Sequence, residues 1–212
     1  MKNAEQRTEL LMNFAPKVGG VFTLADLSSL FNIPEGQTLW LALKRFEHIG
    51  MLSRYCRGIY VAKNFEPQIL ASKVRADSYI SMGNALAYHR LIGTESPFKV
   101  SSVVPSKAKE YFGVVDLSYS RISAHLYFGF FPIENGVKMA DAEKAVLDTL
   151  YFYFHKKKFS FNPFQDIHYS ELSDEKLTLY LEKYRNPKFV AFARKIIHEN
   201  VKKHRRAAFM DC

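Results

Sequence analysis

The sequence has little cysteine and no long apolar run. Its two cysteines, Cys56 and Cys212, stand far apart among 212 residues, which excludes a disulfide framework and a cysteine-based zinc site and favours a reducing compartment. No stretch approaches the roughly 18 consecutive apolar residues of a membrane span, and the polar N-terminus is unlike a secretory signal. We therefore expect a cytoplasmic protein with no membrane partner.

Common catalytic and cofactor-binding patterns are also missing. No two of the seven histidines have the i, i+4 spacing of a helical metal pair, and there is no glycine-rich phosphate loop or G-x-S-x-G turn. Asp116, Asp141, Glu143, Lys144 and Asp148 suggest a metal-dependent nuclease as one alternative. However, the nuclease pattern has an acidic residue, one spacer residue and a lysine on a strand, whereas Glu143 and Lys144 are adjacent on a predicted helix. On that helix the acidic residues favour the N-terminus, and Lys144 pairs with Asp148 at i, i+4. We expect no catalytic residue, no metal and no cofactor.

Apolar residues and positive charge are plentiful. Hydrophobic residues make up 48% of the chain and aromatic residues 15%, enough for a sizeable core. The net charge of +9 is uneven, with +3 over residues 1–63, +1 over 64–185 and +5 over 186–212. Basic ends on a nearly neutral middle favour a polyanion such as nucleic acid, although they also serve solubility.

Residues 1–63 predict three helices followed by a hairpin. Thr23 is a good N-cap for the second helix, and the third runs over residues 37–48 with an apolar inner stripe. Two β-prone runs flank residues 56–58, where a glycine suits a tight turn. This order is that of a winged helix-turn-helix, in which the third helix enters the major groove of DNA and the hairpin, or wing, contacts phosphates.

The predicted partner of this unit is double-stranded DNA. Residues 36–63 carry five basic residues and one acidic residue. Trp40 on the outer side of the third helix either packs on the following domain or contacts DNA. The predicted DNA-binding residues are Thr23, Gln37, Thr38, Trp40, Leu41, Lys44, Arg45, Arg54 and Arg57.

The remaining sequence predicts a linker and a second domain. Residues 64–77 are expected to form a linker with a short helix, and residues 78–212 a mixed α/β domain that ends in helices, so the fold class is α+β. The predicted elements are a helix capped by Ser81 and ending near Gly93, strands over 98–104, 114–122 and 125–131, an Asn135-Gly136 hairpin, a helix over 141–154, and two last helices capped by Ser173 and Asn186.

Three segments carry family-like motifs in a consistent order. Residues 57–61 are like an "rGvYv" wing strand, residues 79–92 like "yiS..sAL..hgLi", and residues 140–148 like "a.pEKAllDl". Together they resemble the AbiEi-like antitoxin family of bacterial type IV toxin–antitoxin, or abortive phage infection, systems. Two positions depart from the family pattern: Arg90 replaces a glycine and Ala142 replaces a proline.

The resemblance implies a transcriptional autorepressor that binds its own promoter through the winged helix. It also implies an antitoxin whose C-terminal domain opposes a nucleotidyltransferase-like toxin, without requiring direct contact with it. We assign Lys144 and Asp148 to the antitoxin or regulatory surface. The alternative is a stand-alone winged-helix regulator whose C-terminal domain senses a ligand or dimerises, and the oligomeric state is left open.

Overall fold

A computed structural model describes the backbone of residues 3–210 and the side chains of residues 3–201. Cys212 and the basic side chains at 202–206 therefore lie outside the described part. Within it, the fold is α+β. The helices are α1 Ala4–Phe14, α2 Leu24–Phe31, α3 Gln37–His48, α4 Pro67–Val74, α5 Met82–Tyr88, α6 Ala142–Phe154, α7 Asp174–Leu181 and α8 Pro187–Met210. The strands are β1 Val21–Thr23, β2 Leu52–Cys56, β3 Ile59–Ala62, β4 Tyr79–Ile80, β5 Lys99–Val104, β6 Lys109–Tyr111, β7 Asp116–Arg121, β8 Phe130–Pro132 and β9 Lys138–Ala140.

The first three helices form a compact unit with a small sheet. Local sequence signals set α2 and α3: Thr23 caps α2 in a capping box, its hydroxyl accepting from the Asp26 N–H at 3.0 Å. In α3, Leu39, Leu43 and Phe46 are buried at i, i+4 and i+7 and give the helix its inner stripe. The predicted N-cap of α2 and the predicted bounds of α3 are confirmed.

The first sheet has three strands in the order β1-β3-β2 and separates two hydrophobic cores. Because side chains alternate along a strand, Phe22 and Tyr60 face the helices of the N-terminal unit. Their neighbours Val21 and Val61 face the rest of the chain. Strand β1 was not predicted, since three residues are too few to show a periodicity.

The segment predicted as a linker is packed against both parts of the chain. It contains α4, in which Ile69 and Leu70 are buried in the larger core. Lys73 on the same helix donates to the Val21 carbonyl oxygen and to the Asp26 carboxylate, both at 2.8 Å. The small sheet and the C-terminal part are therefore held together by a buried helix.

The second sheet is mixed, with six strands in the order β6-β7-β5-β4-β9-β8. The β4–β9 and β5–β7 pairs are parallel and the others antiparallel. The Asn135-Gly136 turn is confirmed as the connection between β8 and β9, with both residues at positive φ. The caps of α7 and α8 by Ser173 and Asn186 are also confirmed. The predicted cap of α5 is wrong, because the Ser81 hydroxyl donates to Asp148 and makes no capping hydrogen bond.

Two predicted elements of this region are wrong, and strand β6 was not predicted. Helix α5 ends at Tyr88 and not near Gly93, because Arg90 adopts a left-handed φ of 60° that reverses the chain. The strand expected over 125–131 is interrupted: a 3₁₀ turn occupies Ala124–Leu126, and only the short β8 follows. Among the described residues, no helix combines the length and the apolar character needed to cross a bilayer.

Candidate nucleic-acid interface

The outer face of α3 is free of intramolecular cover. Opposite the buried stripe, the residues predicted to contact DNA are all exposed, and Trp40 keeps 51% of its accessible surface. The predicted residues that are exposed on this helix are Gln37, Thr38, Trp40, Leu41, Lys44 and Arg45. A large aromatic surrounded by polar and basic side chains, and left in solvent, is typical of a binding surface.

A groove separates this helix from the β2–β3 hairpin. Its volume is about 620 Å³, and Trp40 lines it together with Arg54 and Arg57 of the hairpin. Gly58 sits at the hairpin turn with a φ of 79°, a conformation that a β-carbon would strain. Of the helix residues predicted from the sequence, Trp40 therefore borders one concave surface with the two hairpin arginines, and Glu35 lines the same groove. Arg45 instead lines a separate groove between α3 and α1.

The environment of Trp40 does not support its packing on the following domain, and its contact with DNA stays a prediction. The ring lines the groove and does not pack on the C-terminal part of the chain. Lys44 lies on the same face, one turn further along the helix, with its Nζ 5.3 Å from the centroid of the Trp40 ring. At such a distance the cation and the ring attract each other, so an aromatic plane and a positive charge are presented together.

Thr23 stands apart from the other predicted contacts. It is half-buried, and its hydroxyl is engaged as the N-cap of α2. The adjacent carboxylate of Asp26 has a lowered pKa: burial raises it, but the hydrogen bonds from Lys73 and Thr23 outweigh that effect. The structure thus gives Thr23 a capping role, and its contact with DNA stays a prediction.

The assignment of Lys144 and Asp148 to a surface is wrong. Both side chains are completely buried and form an ion pair inside the second domain. Asp148 also accepts hydrogen bonds from the Tyr79 hydroxyl at 2.9 Å and the Ser81 hydroxyl at 2.8 Å. The physical reason is that α6 is covered on nearly every side, so even its polar positions face protein.

This buried pair sits in an aromatic enclosure that sequence reasoning missed. Lys144 Nζ lies 4.9 Å from the Phe128 ring centroid. Burial, followed by the negative charge of Asp148, raises the pKa of Tyr79 and of Tyr184 well above the ordinary value. The available signal was the helix itself, which is apolar on all faces apart from a few polar residues. Such a helix is typical of a core.

The acidic residues weighed for a nuclease do not converge. Asp141 accepts from the Tyr180 hydroxyl at 2.7 Å, and Glu143 accepts from the Ser173 N–H at 3.0 Å. Lys176 bridges the two carboxylates, whereas Asp148 belongs to the buried pair. Among the side chains of residues 3–201, no group of three or more His, Cys, Asp or Glu is placed to hold a metal ion.

The family-like segments of the second domain meet in space. The first, over residues 79–92, supplies both hydroxyls that bind Asp148 of the second, over 140–148. The ring Nε2 of His89 lies 2.8 Å from the Ala140 carbonyl oxygen. The departures from the motif also fall at understandable positions, since Arg90 has the left-handed φ that favours glycine and Ala142 is the first residue of α6, where proline is favoured.

Comparison with known proteins identifies a fold and no family. No protein-family model matches the chain, and a search of curated proteins gives no match. Among solved structures, the fold is similar to the crystal structure of the RV2827C protein from Mycobacterium tuberculosis, with a TM-score of 0.62. The two sequences are 15% identical over 93% of this chain and 76% of that one. At this identity the likeness concerns the fold alone.

Proposed function

We propose that this protein binds double-stranded DNA through α3 and the β2–β3 hairpin and acts as a transcriptional regulator. The observation that carries the proposal is the groove itself. Trp40 of α3 lines it together with Arg54 and Arg57 of the hairpin, and the exposed Lys44 lies beside the Trp40 ring. Basic side chains on such a surface bind phosphates and release counterions, and the polar groups at the start of α3 suit base edges.

The order of elements supports the same proposal. The chain runs α1-β1-α2-α3-β2-β3, and the sheet order is β1-β3-β2, an arrangement that resembles a winged helix-turn-helix. In that motif the helix in the position of α3 lies in the major groove. Since α3 and the hairpin are open to solvent while the opposite side of the small sheet is covered, the proposed surface is available to a duplex.

The test is the salt dependence of DNA binding. We expect the double variant Lys44→Ala, Arg45→Ala to bind a labelled duplex from its own promoter more weakly. Its log–log salt slope should fall by about 0.9 for each phosphate that the variant no longer neutralises. Lys158→Ala, which removes an exposed lysine far along the chain, is the matched control and should leave the slope unchanged. Equal affinities and slopes for the double variant and the control would contradict insertion of α3.

Two further substitutions separate positioning from sequence reading. Arg57→Ala should weaken binding to promoter and random duplexes alike, because a phosphate contact carries no sequence information. Thr38→Val should instead reduce the difference in affinity between the promoter duplex and the random duplex. The variant removes a hydroxyl from the N-terminal turn of α3, where such a group can contact base edges. If Arg57→Ala affects the promoter duplex alone, the hairpin reads bases.

We also propose, on the resemblance to AbiEi-like antitoxins, that the second domain opposes a nucleotidyltransferase-like toxin. The supporting observation is that two family-like segments interlock around Asp148, so the motif residues build the domain core. The active surface is then formed by residues other than Lys144 and Asp148.

Co-expression with the neighbouring gene tests this second proposal. Growth should be restored by the full chain and also by the Lys44→Ala, Arg45→Ala variant, since the core of the second domain is intact in both. A neighbouring gene without toxicity, or rescue that disappears in the variant, would contradict the antitoxin role and favour a stand-alone regulator.

A further inference from the structure

A second hairpin lies directly beside the β2–β3 hairpin. It is formed by β6 and β7 of the six-stranded sheet and belongs to the other half of the chain. The Tyr55 hydroxyl of β2 donates to the Val115 carbonyl oxygen at 2.7 Å. Gly113 approaches the same ring so closely that a β-carbon there would be 3.0 Å from its edge. The two hairpins are therefore fixed relative to each other.

The tip of the β6–β7 hairpin is unusually apolar for a solvent-exposed turn. Phe112 is 77% exposed and Val114 is 62% exposed. Phe98, which is 69% exposed, lies at the same end of the sheet, since its carbonyl oxygen accepts from the Asp116 N–H at 2.8 Å. Three large apolar side chains exposed at one end of the sheet indicate a surface that another molecule covers.

The charge beside this patch is mixed: the Asp116 carboxylate accepts from the Gly113 N–H of the turn at 3.3 Å, and Lys109 supplies a cation on the side that faces the β2–β3 hairpin. Lys109 lies opposite Tyr119 in the β6–β7 register, so the two side chains are on the same face of the sheet. The Tyr119 hydroxyl donates to the Ala71 carbonyl oxygen of α4, which shows that this face is the one turned toward α4 and the N-terminal unit. Glu110 is the next residue and lies on the opposite face. Burial raises the pKa of the Cys56 thiol, while the charges of Lys109 and Arg54 oppose that shift, so both cations lie near the hairpin.

We propose that the β6–β7 hairpin is a second DNA-contacting element. Lys109 binds a phosphate beyond the β2–β3 hairpin, and Phe112 packs against the sugars or base edges of the same flanking segment. This inference rests on the proposed function and extends the interface from the N-terminal unit onto the second domain.

Continuity and charge favour DNA as the occupant. The patch adjoins a hairpin whose exposed Arg54 and Arg57 already suit phosphates. Arg75, a second cation at this edge, forms an ion pair with Asp77, with 3.0 Å between Nε and Oδ1. Lys109 is exposed to solvent. Apolar side chains beside basic ones occur in proteins that bind a DNA duplex. The apolar side chains contact sugars and base steps, while the basic side chains bind the phosphate backbone.

The consequence is a longer contact with DNA than the small N-terminal unit alone provides. Because Tyr55 and Gly113 fix the two hairpins together, the flanking contact has a constant position relative to α3. Hydroxyl-radical footprinting should therefore show extra protected sugars on the hairpin side of the site, at one constant spacing.

The experiment uses the full chain and a labelled duplex that carries the DNA upstream of its own gene. Lys109→Ala should reduce the log–log salt slope by about 0.9 and remove the extra protection. Phe112→Ser should weaken binding about threefold to tenfold at constant slope, the change expected for a small apolar contact area. Lys158→Ala is the control, because the neighbouring Lys157 bonds Ser120 on the opposite sheet face.

The outcomes distinguish this inference from the proposed function. If the wild-type chain does not bind the duplex, or if Lys44→Ala, Arg45→Ala binds as the wild type does, the proposed function fails. If that variant weakens binding while Lys109→Ala keeps the wild-type slope and footprint, only the second contact fails. A change in sedimentation with Phe112→Ser, at unchanged DNA affinity, would assign the patch to a protein contact and overturn the inference.

Discussion

Removing one partner of the buried Lys144–Asp148 pair should destabilise the protein strongly. In Asp148→Ala the ammonium of Lys144 stays in a completely buried position without its carboxylate. The hydroxyls of Tyr79 and Ser81 lose their acceptor at the same time. Because a charge and two donors remain in a low-dielectric interior, the cost exceeds the value of the missing attraction alone.

The expected magnitude follows from comparable buried pairs. Breaking such a pair from one side costs about 3–5 kcal/mol of the free energy of unfolding. For a chain of this length, each kcal/mol lowers Tm by about 2–4 °C, so a decrease of about 6–20 °C is expected. Replacing both residues, as in Lys144→Met with Asp148→Leu, removes the unpaired charge and should recover a large part of this stability.

Urea and thermal unfolding followed by circular dichroism measure the effect. The Lys195–Glu199 ion pair is a matched control, because it has the same i, i+4 spacing on a helix but is largely exposed. Its Nζ and Oε1 atoms are 4.0 Å apart. Glu199→Ala should cost no more than about 0.5 kcal/mol, because surface pairs are screened by water. If Asp148→Ala and Glu199→Ala unfold at the same urea concentration, the reasoning about the buried pair is refuted.

Three further predictions concern local structure. Arg90→Gly should raise the free energy of unfolding by about 0.5–1 kcal/mol, since relief of the left-handed φ exceeds the entropy that glycine adds to the unfolded chain; a lower Tm would contradict this. Burial raises the pKa of Glu143, but hydrogen bonds from Lys176 and the Ser173 N–H hold it below its ordinary 4.5. The contribution of the Glu143 carboxylate to the free energy of unfolding is therefore present above pH 4.5 and is lost as the pH falls through its lower pKa in the folded protein. The urea midpoint of Glu143→Gln should accordingly depend less on pH than that of the wild type. Thr23→Ala should cost about 1 kcal/mol because the cap is removed, while Thr23→Ser costs little, and a changed DNA salt slope in a folded Thr23→Ala protein would show a contact as well.

Short-range signals determined much of the N-terminal unit. The bounds of α2 and α3 follow from a capping box and an apolar stripe, both of which lie within a few residues of the atoms they control. The turn glycine Gly58 and the Asn135-Gly136 connection are of the same kind, because the φ that each requires is a property of the residue itself. The exposed helix face and the hairpin arginines could be predicted for this reason.

Longer-range features needed the tertiary structure. Strands β1 and β6 have three residues each and exist through their partners, which lie elsewhere in the chain. Whether Lys144 and Asp148 face water or protein depends on what packs around α6, and an i, i+4 pair looks the same in both situations. The adjacency of the two hairpins is likewise absent from any local pattern, because Tyr55 and Val115 are 60 residues apart. Apart from both ends of α5, the sequence by itself determined the helices, the glycine turns and the caps of α2, α7 and α8, since these depend on neighbouring residues. Only the tertiary structure decided which charges are buried and which surfaces join.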